Sequence, residues 1–227
     1  MIVPTWKKYL SYLFELHIES APSEFNPHLY VSLRNGRYQL STANAIYSYA
    51  DLYDNFSSTF KRLEWQDKPD QVLLLGFGLG SIPYMLEKKF DQLFRYTAVE
   101  IDENVLYLAN KYTLPELKSA INIIAADAFA FVQSCNECYD MICMDVFLDD
   151  IVPTHFEQES FLLHLNRILT PEKGILLFNK LAASKKDREQ AGQFLQRFKK
   201  VFPKGGFINA RGNWMLINDT RFIKKTG

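Results

Sequence analysis

The sequence predicts an α/β fold with a mostly parallel sheet that ends in an antiparallel hairpin and follows a small N-terminal β element. Three observations predict it. A short apolar run, Gln71–Leu75, leads directly into a glycine turn and a helical pattern. Strand-like and helix-like segments then alternate along the chain. Two final strand-like runs, 206–210 and 213–217, are joined by only two residues, which permits only antiparallel pairing.

Composition restricts the class of protein. The 227 residues suit one domain with a small appendage. Lys plus Arg and Asp plus Glu number 26 each, so no excess charge favours nucleic acid or acidic lipid. No run reaches the ~18 apolar residues of a membrane span. We therefore expect a cytoplasmic protein that acts on a small molecule, without a nucleic-acid or membrane partner.

The cysteines predict no metal site. Cys135 and Cys138 form a C-x-x-C pair, but neither a second pair nor a histidine cluster completes a zinc site. Cys143 is the third cysteine. An odd, low count is typical of a reducing compartment.

The N-terminal region predicts a hairpin followed by a helix. Residues 14–19 alternate apolar and polar side chains, and Leu29–Arg34 and Arg37–Ser41 flank Asn35-Gly36, a strong hairpin signal. Apolar residues at three- and four-residue spacings then predict a helix over residues 43–63. We assign residues 1–65 to this segment and residues 66–227 to the main domain.

The main domain alternates strand and helix signals after its first strand. We predict further parallel strands at 96–101, 121–125, 139–145 and 174–179. Between the last two, Thr154 and Glu157 have the spacing of a capping box at the start of a helix. This alternation predicts a sheet covered by helices on both faces.

Polar or glycine residues follow four of these strands, at the edge where open α/β sheets bind ligands. Gly76, Gly78 and Gly80 form the turn after the first strand, and free N–H groups of the following helix start favour an anion. Glu100 ends the second strand. A carboxylate there can hold a ribose, although a solvated strand end is the alternative.

The third and fourth strand ends also carry carboxylates. Asp127 precedes Ala128 and is a candidate for an adenine amino group or for a helix N-cap. Asp145 closes the fourth strand, and Asp149 and Asp150 follow as loop charges or as binding residues. Polar residues at four successive strand ends indicate a nucleotide site.

Together these segments resemble a known family. VLLLGFGLG, AVEID, AADA and YDMICMD resemble the successive motifs of class I S-adenosylmethionine-dependent methyltransferases, in particular the spermidine synthase (polyamine aminopropyltransferase) branch. The resemblance implies a Rossmann-like, seven-stranded sheet and a homodimer. It implies S-adenosylmethionine, or its decarboxylated form, as cofactor.

Carried over position by position, the resemblance implies a binding site. Gly76, Gly78 and Gly80 would line the methionine-derived tail, Glu100 would hold the ribose, and Asp127 with Ala128 the adenine. Asp145 would be the general base. The remaining expected substrate-binding positions are Tyr47, Tyr53 and Phe147.

The sequence departs from the aminopropyltransferase pattern at the amine end of the cofactor. Leu79 stands where these enzymes place an aspartate, the second acidic residue after Asp145 is displaced by one position, and Asn44 and Ala45 stand near the place of the upstream acidic residues. An unpaired buried ammonium is expensive. These departures favour ordinary S-adenosylmethionine.

The leading hypothesis is therefore a methyltransferase that acts on a small amine or hydroxyl group. An aminopropyltransferase and a non-catalytic scaffold of the same fold are the alternatives. A metal-dependent O-methyltransferase using Asp145 and Asn179 is disfavoured because Mg²⁺ requires more oxygen ligands, so we expect no metal. His155 follows Pro153-Thr154 and is interpreted as a proton relay or as a surface residue of a first helical turn.

Overall fold

The computed structural model describes residues 3–26, 28–43, 45–64, 68–148 and 151–224. Within these ranges the chain forms a four-stranded antiparallel sheet and a larger seven-stranded sheet. None of the helices in the described ranges has both the length and the apolar character that a membrane crossing requires.

The N-terminal elements are α1 (Thr5–Leu10), β1 (Leu16–Ala21), β2 (Leu29–Arg34), β3 (Arg37–Ser41), β4 (Ile46–Ser48), a 3-10 helix (Ala50–Leu52) and α2 (Asp54–Arg62). The central elements are β5 (Gln71–Leu75), α3 (Ser81–Phe90), β6 (Arg95–Glu100), α4 (Glu103–Tyr112), a 3-10 helix (Leu114–Glu116), β7 (Ala120–Ala125), α5 (Ala128–Ser134) and β8 (Met141–Met144). The C-terminal elements are a 3-10 helix (Thr154–Glu157), α6 (Glu159–Arg167), β9 (Ile175–Leu181), α7 (Lys185–Val201), β10 (Gly206–Ala210), β11 (Asn213–Ile217) and a 3-10 helix (Thr220–Phe222).

The seven-stranded sheet has the order β10-β11-β9-β8-β5-β6-β7, with β5 to β9 parallel and β10 and β11 antiparallel. Helices α2, α3 and α4 contribute buried apolar residues to the core on one face, and α5, α6 and α7 to the core on the other. The predicted α/β class, the mostly parallel seven-stranded sheet and the C-terminal hairpin are confirmed.

The N-terminal hairpin is confirmed as part of the four-stranded sheet, whose order is β1-β2-β3-β4. Asn35 and Gly36 connect β2 to β3 with φ values of +49° and +71°, the left-handed values that a tight hairpin turn requires. The backbone N–H of Gly36 also donates to the hydroxyl of Ser11, which attaches the end of the N-terminal segment to this turn.

The prediction of one helix over residues 43–63 is wrong in its first half. Ile46–Ser48 pair with β3 as β4, and Ala50 has a φ of +44°, which no α-helix accommodates. A helix begins only at Asp54. The three- and four-residue apolar spacing is a local signal, and pairing with β3 overrides it because it satisfies the backbone groups of β4.

The predicted capping box at Thr154 is also wrong. No side chain caps the 3-10 helix Thr154–Glu157, and α6 begins at Glu159. The buried Glu157 carboxylate instead pairs with Lys180 of β9 and lies 3.2 Å from Arg197 of α7. The Glu157 side chain, which local spacing assigns to a helix cap, therefore forms ion pairs with distant residues instead.

The small sheet contacts the large one at the beginning of α3. The hydroxyls of Ser48 and Ser81 are 2.6 Å apart and buried, and the backbone N–H of Tyr49 donates to the Ser81 hydroxyl at 2.8 Å. Helix α2 packs against β10 and β11. These contacts place β4 directly beside the glycine turn that follows β5.

Gly76 allows the close approach of the ends of β5 and β8. Its φ is +83°, and a Cβ at this position would collide with the carbonyl oxygen of Asp145. Both the conformation and the space exclude a side chain. At Gly192, within α7, no atom other than those of its chain neighbours and of its own helix backbone lies within 4 Å of the place where a Cβ would lie.

We therefore expect Gly76→Ala to lower the free energy of unfolding by about 1–3 kcal/mol, because strain adds to the collision. Gly192→Ala is the matched control and should raise the free energy by up to about 1 kcal/mol, because alanine favours a helix. Urea denaturation of both variants measures the difference. Equal stability of the two variants would contradict the assignment of Gly76 as the contact point of the strands.

Candidate active site

A cavity of about 380 Å³ opens at the carboxyl ends of the parallel strands. It lies where the strand order reverses, since β6 and β7 follow β5 on one side, and β8 and β9 on the other. Open α/β sheets bind ligands at this point. The lining residues are Phe25, Asn26, Ala45, Ile46, Tyr47, Tyr53, Asn55, Gly76, Gly78, Val99, Glu100, Ile101, Asp102, Asp127, Ala128, Asp145, Val146, Phe147, Leu148, Pro153, His155, Phe156, Asn179, Leu181 and Asn213.

The three glycines of the predicted cofactor turn have different places. Gly76 and Gly78 line the cavity, and a Cβ on Gly78 would lie 3.2 Å from the Cβ of Ser48. Gly80 is not a lining residue. It is the N-cap residue of α3, with a φ of +81°, and a Cβ there would contact the ring of Phe77 at 2.9 Å.

Glu100 binds four backbone N–H groups. One carboxylate oxygen accepts from Phe77 and Gly78 at 3.0 and 3.2 Å, and the other accepts from Ile101 and Asp102 at 3.0 and 3.2 Å. Burial raises the pKa of the Glu100 carboxyl, and the N–H donors oppose this rise. The side chain therefore joins the glycine turn to the end of β6.

This contact limits which N–H groups of the turn can bind an anion. The amides of Phe77 and Gly78 donate to Glu100, and that of Gly80 donates to the carbonyl of Phe77. These three N–H groups are not free to bind an anion. A ligand hydroxyl that reached Glu100 would have to exchange with a backbone donor, since four donors already occupy a carboxylate with about four acceptor positions.

Asp127 and Ala128, the residues predicted to bind adenine, both line the cavity. Asp127 also caps α5, because its carboxylate accepts the N–H of Ala130 at 2.8 Å. The second carboxylate oxygen accepts no hydrogen bond from the described residues. Capping therefore leaves one oxygen of Asp127 for a ligand.

Asp145 has two chemically different oxygens. Its Oδ1 accepts from the Nδ2 of Asn179 at 2.8 Å and from the hydroxyl of Tyr53 at 3.3 Å. Oδ2 receives no hydrogen bond from a described residue, and Asp145 lines the cavity. One oxygen is thus oriented by the protein, and the other is available to a ligand.

The ionisation of Asp145 is displaced toward neutral pH. Burial raises its pKa to about 7, the hydrogen bonds from Asn179 and Tyr53 oppose the rise, and the charge of Glu100 adds to it. Burial and the Asp145 charge also raise the pKa of Tyr53 well above its ordinary value, so this phenol keeps its proton. A carboxyl with a pKa near the working pH is suited to proton transfer.

Tyr47 and Phe147 form part of one wall. The Tyr47 hydroxyl donates to Oδ1 of Asn26 at 2.5 Å and lies 3.2 Å from the carbonyl oxygen of Phe147. It thereby connects the loop after β1 with the loop after β8. Tyr53 lies near Asp145, and the structure brings all three predicted substrate positions into one cavity.

Leu79 does not line the cavity. It is 2% exposed and belongs to the apolar core that includes Ile82 and Met85 of α3. Ala45 lines the cavity, whereas Asn44, Asp149 and Asp150 lie outside the described residues.

The sequence patterns missed two asparagines. Asn213 donates from Nδ2 to Oδ1 of Asn179 at 2.7 Å, and Asn26 receives the Tyr47 hydroxyl. Asn213 is the first residue of β11. It follows Asn179 by 34 residues, so no spacing pattern in the sequence indicates the contact between the two side chains. His155 lines the cavity, and the centroid of its ring is 4.2 Å from the ring centroid of Phe156.

The charged side chains that line the described cavity are acidic. Glu100, Asp102, Asp127 and Asp145 contribute carboxylates, and no lysine or arginine is among the lining residues that the structure describes. Such a lining suits neutral or cationic ligands. Within the described ranges, no cluster of three or more His, Cys, Asp or Glu side chains is arranged to hold a metal ion.

Known proteins resemble this chain in sequence and in fold. The chain is 28% identical over 169 residues to a polyamine aminopropyltransferase of Vibrio vulnificus, which covers 70% of this chain and 54% of that protein. The chain thus spans about half the length of this relative. A human structure, methyltransferase-like protein 13 in complex with SAH, is 26% identical with a TM-score of 0.56, over 67% of this chain and 72% of that one.

The fold has a wider match in a probable spermidine synthase from Corynebacterium glutamicum. The TM-score is 0.70 at 18% identity, over 88% of this chain and 79% of that chain. The family model described as spermine/spermidine synthase domain matches residues 61–210, from the last turn of α2 to the end of β10. The chain therefore belongs to the spermine/spermidine synthase domain family, which has the Rossmann-like fold of S-adenosylmethionine-dependent methyltransferases.

Proposed function

We propose that this protein is an S-adenosylmethionine-dependent methyltransferase that acts on a small amine or hydroxyl group. The carrying observation is Asp145, a cavity-lining carboxylate whose Oδ1 is held by Asn179 and Tyr53 and whose Oδ2 accepts no hydrogen bond from a described residue. The proposal agrees with the 26% identity to a human methyltransferase-like protein whose structure contains SAH.

The cavity residues fit S-adenosylmethionine. Gly76 and Gly78 leave one side without side chains, Asp127 has a free carboxylate oxygen beside Ala128, and apolar walls are provided by Ile101, Val146 and Phe147. When bound, the cofactor supplies an electrophilic methyl group on a sulfonium. The acidic lining is compatible with that positive charge.

The residues of the chain then have separate tasks. Oδ2 of Asp145 would receive the proton of the nucleophilic amine or hydroxyl, while Asn179 and Tyr53 hold Oδ1. The aromatic walls around Tyr47 and Phe147 would limit the acceptor and exclude water. Positioning supplies most of the rate enhancement in such a transfer, and the base adds about 10²–10⁴-fold.

Aminopropyl transfer is the second candidate, and one observation favours it. The cavity carries four carboxylates and, among its described lining residues, no cationic side chain, which suits decarboxylated S-adenosylmethionine. The relative in Vibrio vulnificus is a polyamine aminopropyltransferase. Against it, Glu100, Asp102 and Asp127 already accept backbone N–H groups, and Leu79 places an apolar side chain where the resemblance expects an aspartate.

Calorimetric titration distinguishes the two candidates. We expect S-adenosylmethionine and its demethylated product to bind more tightly than decarboxylated S-adenosylmethionine. Transfer of a labelled methyl group to a panel of small amines and phenols would then identify the acceptor. No binding of S-adenosylmethionine at millimolar concentration would contradict the proposal, whereas spermidine formed from putrescine would establish the second candidate.

Asp145→Asn tests the base. We expect methyl transfer to fall about 10²–10⁴-fold with little change in cofactor affinity, and wild-type activity to rise as the pH passes through about 7. A loss of cofactor binding equal to the loss of rate would show that Asp145 binds the cofactor instead.

The same variant has a predicted effect on stability. Because the pKa of Asp145 is raised in the folded state, folded protein holds one more proton than unfolded protein between pH 4 and about 7. Wild-type stability should therefore fall as pH rises through this range, by up to about 1.4 kcal/mol per pH unit from this group. Asp145→Asn lacks this contribution. Urea denaturation at several pH values should therefore show that its free energy of unfolding rises relative to that of the wild type as the pH increases. Glu24→Gln, at an exposed position, is the control, and its free energy of unfolding should differ from that of the wild type by the same amount at each pH.

Leu79→Asp tests whether one carboxylate restores polyamine chemistry. Because Leu79 lies in the core, we expect the variant to lose at least about 2 kcal/mol of stability and to gain no transfer to putrescine. Leu79→Met is the control and should lose less, because the volume is conserved. A stable Leu79→Asp protein that binds decarboxylated S-adenosylmethionine would show that this side chain can reach the cavity.

A further inference from the structure

A chain of amide hydrogen bonds connects the C-terminal hairpin to Asp145. Nδ2 of Asn213 donates to Oδ1 of Asn179 at 2.7 Å, and Nδ2 of Asn179 donates to Oδ1 of Asp145 at 2.8 Å. Asn179 is 1% exposed in β9, and Asn213 lies in the neighbouring strand β11, beside the cavity. The two asparagines thus link an antiparallel strand to the carboxylate at the end of a parallel one.

We propose that Asn213 is a positioning residue that sets the orientation of the Asn179 amide, keeps an N–H donor on Oδ1 of Asp145 and thereby leaves Oδ2 to accept the proton of the nucleophile. The role of that proton rests on the proposed function. The orientation of the Asn179 amide and its effect on the ionisation of Asp145 do not depend on the proposed function.

The argument depends on the two ends of an amide. Its oxygen accepts hydrogen bonds and its nitrogen donates them. While Asn213 donates to Oδ1 of Asn179, the Nδ2 group of Asn179 must point to Asp145. The reversed amide would place an oxygen against a carboxylate oxygen, which is unfavourable unless Asp145 is protonated. Without Asn213 the reversed amide becomes accessible, and it stabilises the protonated carboxyl.

The surroundings of Asp145 make this donor important. Burial and the charge of Glu100, at the end of β6, both disfavour the charged form of Asp145. Cys143, two residues before Asp145 on β8, is also buried. Tyr53 supplies the other hydrogen bond to Oδ1. The remaining titratable side chains of the described cavity lining are Tyr47, Asp102, Asp127 and His155, and no lysine or arginine is among them. Hydrogen-bond donors, not a cation, therefore sustain the ionised form.

The test measures the ionisation of Asp145 in the unliganded 227-residue chain. Carboxyl ¹³C NMR of aspartate-labelled protein follows the titration, and the Asp145 signal is identified by its loss in Asp145→Asn. We expect Asn213→Ala to move the titration midpoint upward by about half to one pH unit, because a hydrogen bond to the charged form is lost. Asn213→Asp should move it further, because its carboxylate can only accept and forces the reversed amide.

Asn209→Asp is the matched control. It adds the same charge to the hairpin at an exposed position of β10, and the Asp145 midpoint should stay within about 0.2 pH units of the wild-type value because solvent screens an exposed charge. Asn213→Val is a second variant without a donor, and it suits a strand. Backbone amide spectra establish that each variant is folded.

Two outcomes would overturn the proposal. In one, folded Asn213→Ala and Asn213→Val titrate at the wild-type midpoint. In the other, only Asn213→Asp shifts, which assigns the effect to its charge. A protein that transfers no methyl group but shows the expected shifts would refute the proposed function and leave the positioning role of Asn213 intact.

Discussion

The Glu100 carboxylate is the contact on which the site depends. It accepts two N–H groups from the glycine turn after β5 and two from the backbone after β6, so it holds the ends of neighbouring strands in one shape. A carboxylate that accepts several N–H groups holds a tight turn effectively, because charge-assisted hydrogen bonds are stronger than neutral ones. The turn that Glu100 binds contains three glycines with positive φ values, Gly76, Gly78 and Gly80.

The carboxylates of the cavity lining have different roles, and Glu100 influences the ionisation of one of them. Its charge disfavours ionisation of Asp145, whose pKa is raised to about 7, mainly by burial. Asp102 and Asp127 each cap a helix. Of the acidic residues in the described lining, Asp145 is the one whose hydrogen bonds all come from side chains of distant segments and leave one oxygen without a donor among the described residues.

The balance between methyl and aminopropyl transfer follows from the same arrangement. Both reactions use an electrophilic carbon next to a sulfonium, and the acidic lining suits either cofactor. They differ at the far end of the cofactor tail, where S-adenosylmethionine carries its own carboxylate beside the amine and the decarboxylated form carries a cationic amine without one. Leu79 turns into the core at that end of the turn, and this supports our preference for methyl transfer.

Most of the fold could be predicted because its signals are local. The strand Gln71–Leu75 begins and ends where the apolar run does, the Asn35-Gly36 and Arg211-Gly212 turns adopt the positive φ values that hairpins require, and the sheet has seven strands. The errors occurred where long-range contacts compete with local ones. Ile46–Ser48 form a strand because they pair with β3, although a helix was predicted there. Glu157 forms an ion pair with Lys180 and does not cap a helix.

The sheet, its glycine turn and the four strand ends that carry polar groups could be predicted from the amino-acid sequence, because periodicity and turn chemistry depend on neighbouring residues. The role of each polar group depends on partners that folding brings from distant parts of the chain. Glu100 binds amides 22 and 23 residues away, and Asp145 is oriented by residues 34 and 92 positions distant. These partners meet through packing of the sheet and the N-terminal segment, and no spacing along the chain encodes their contact.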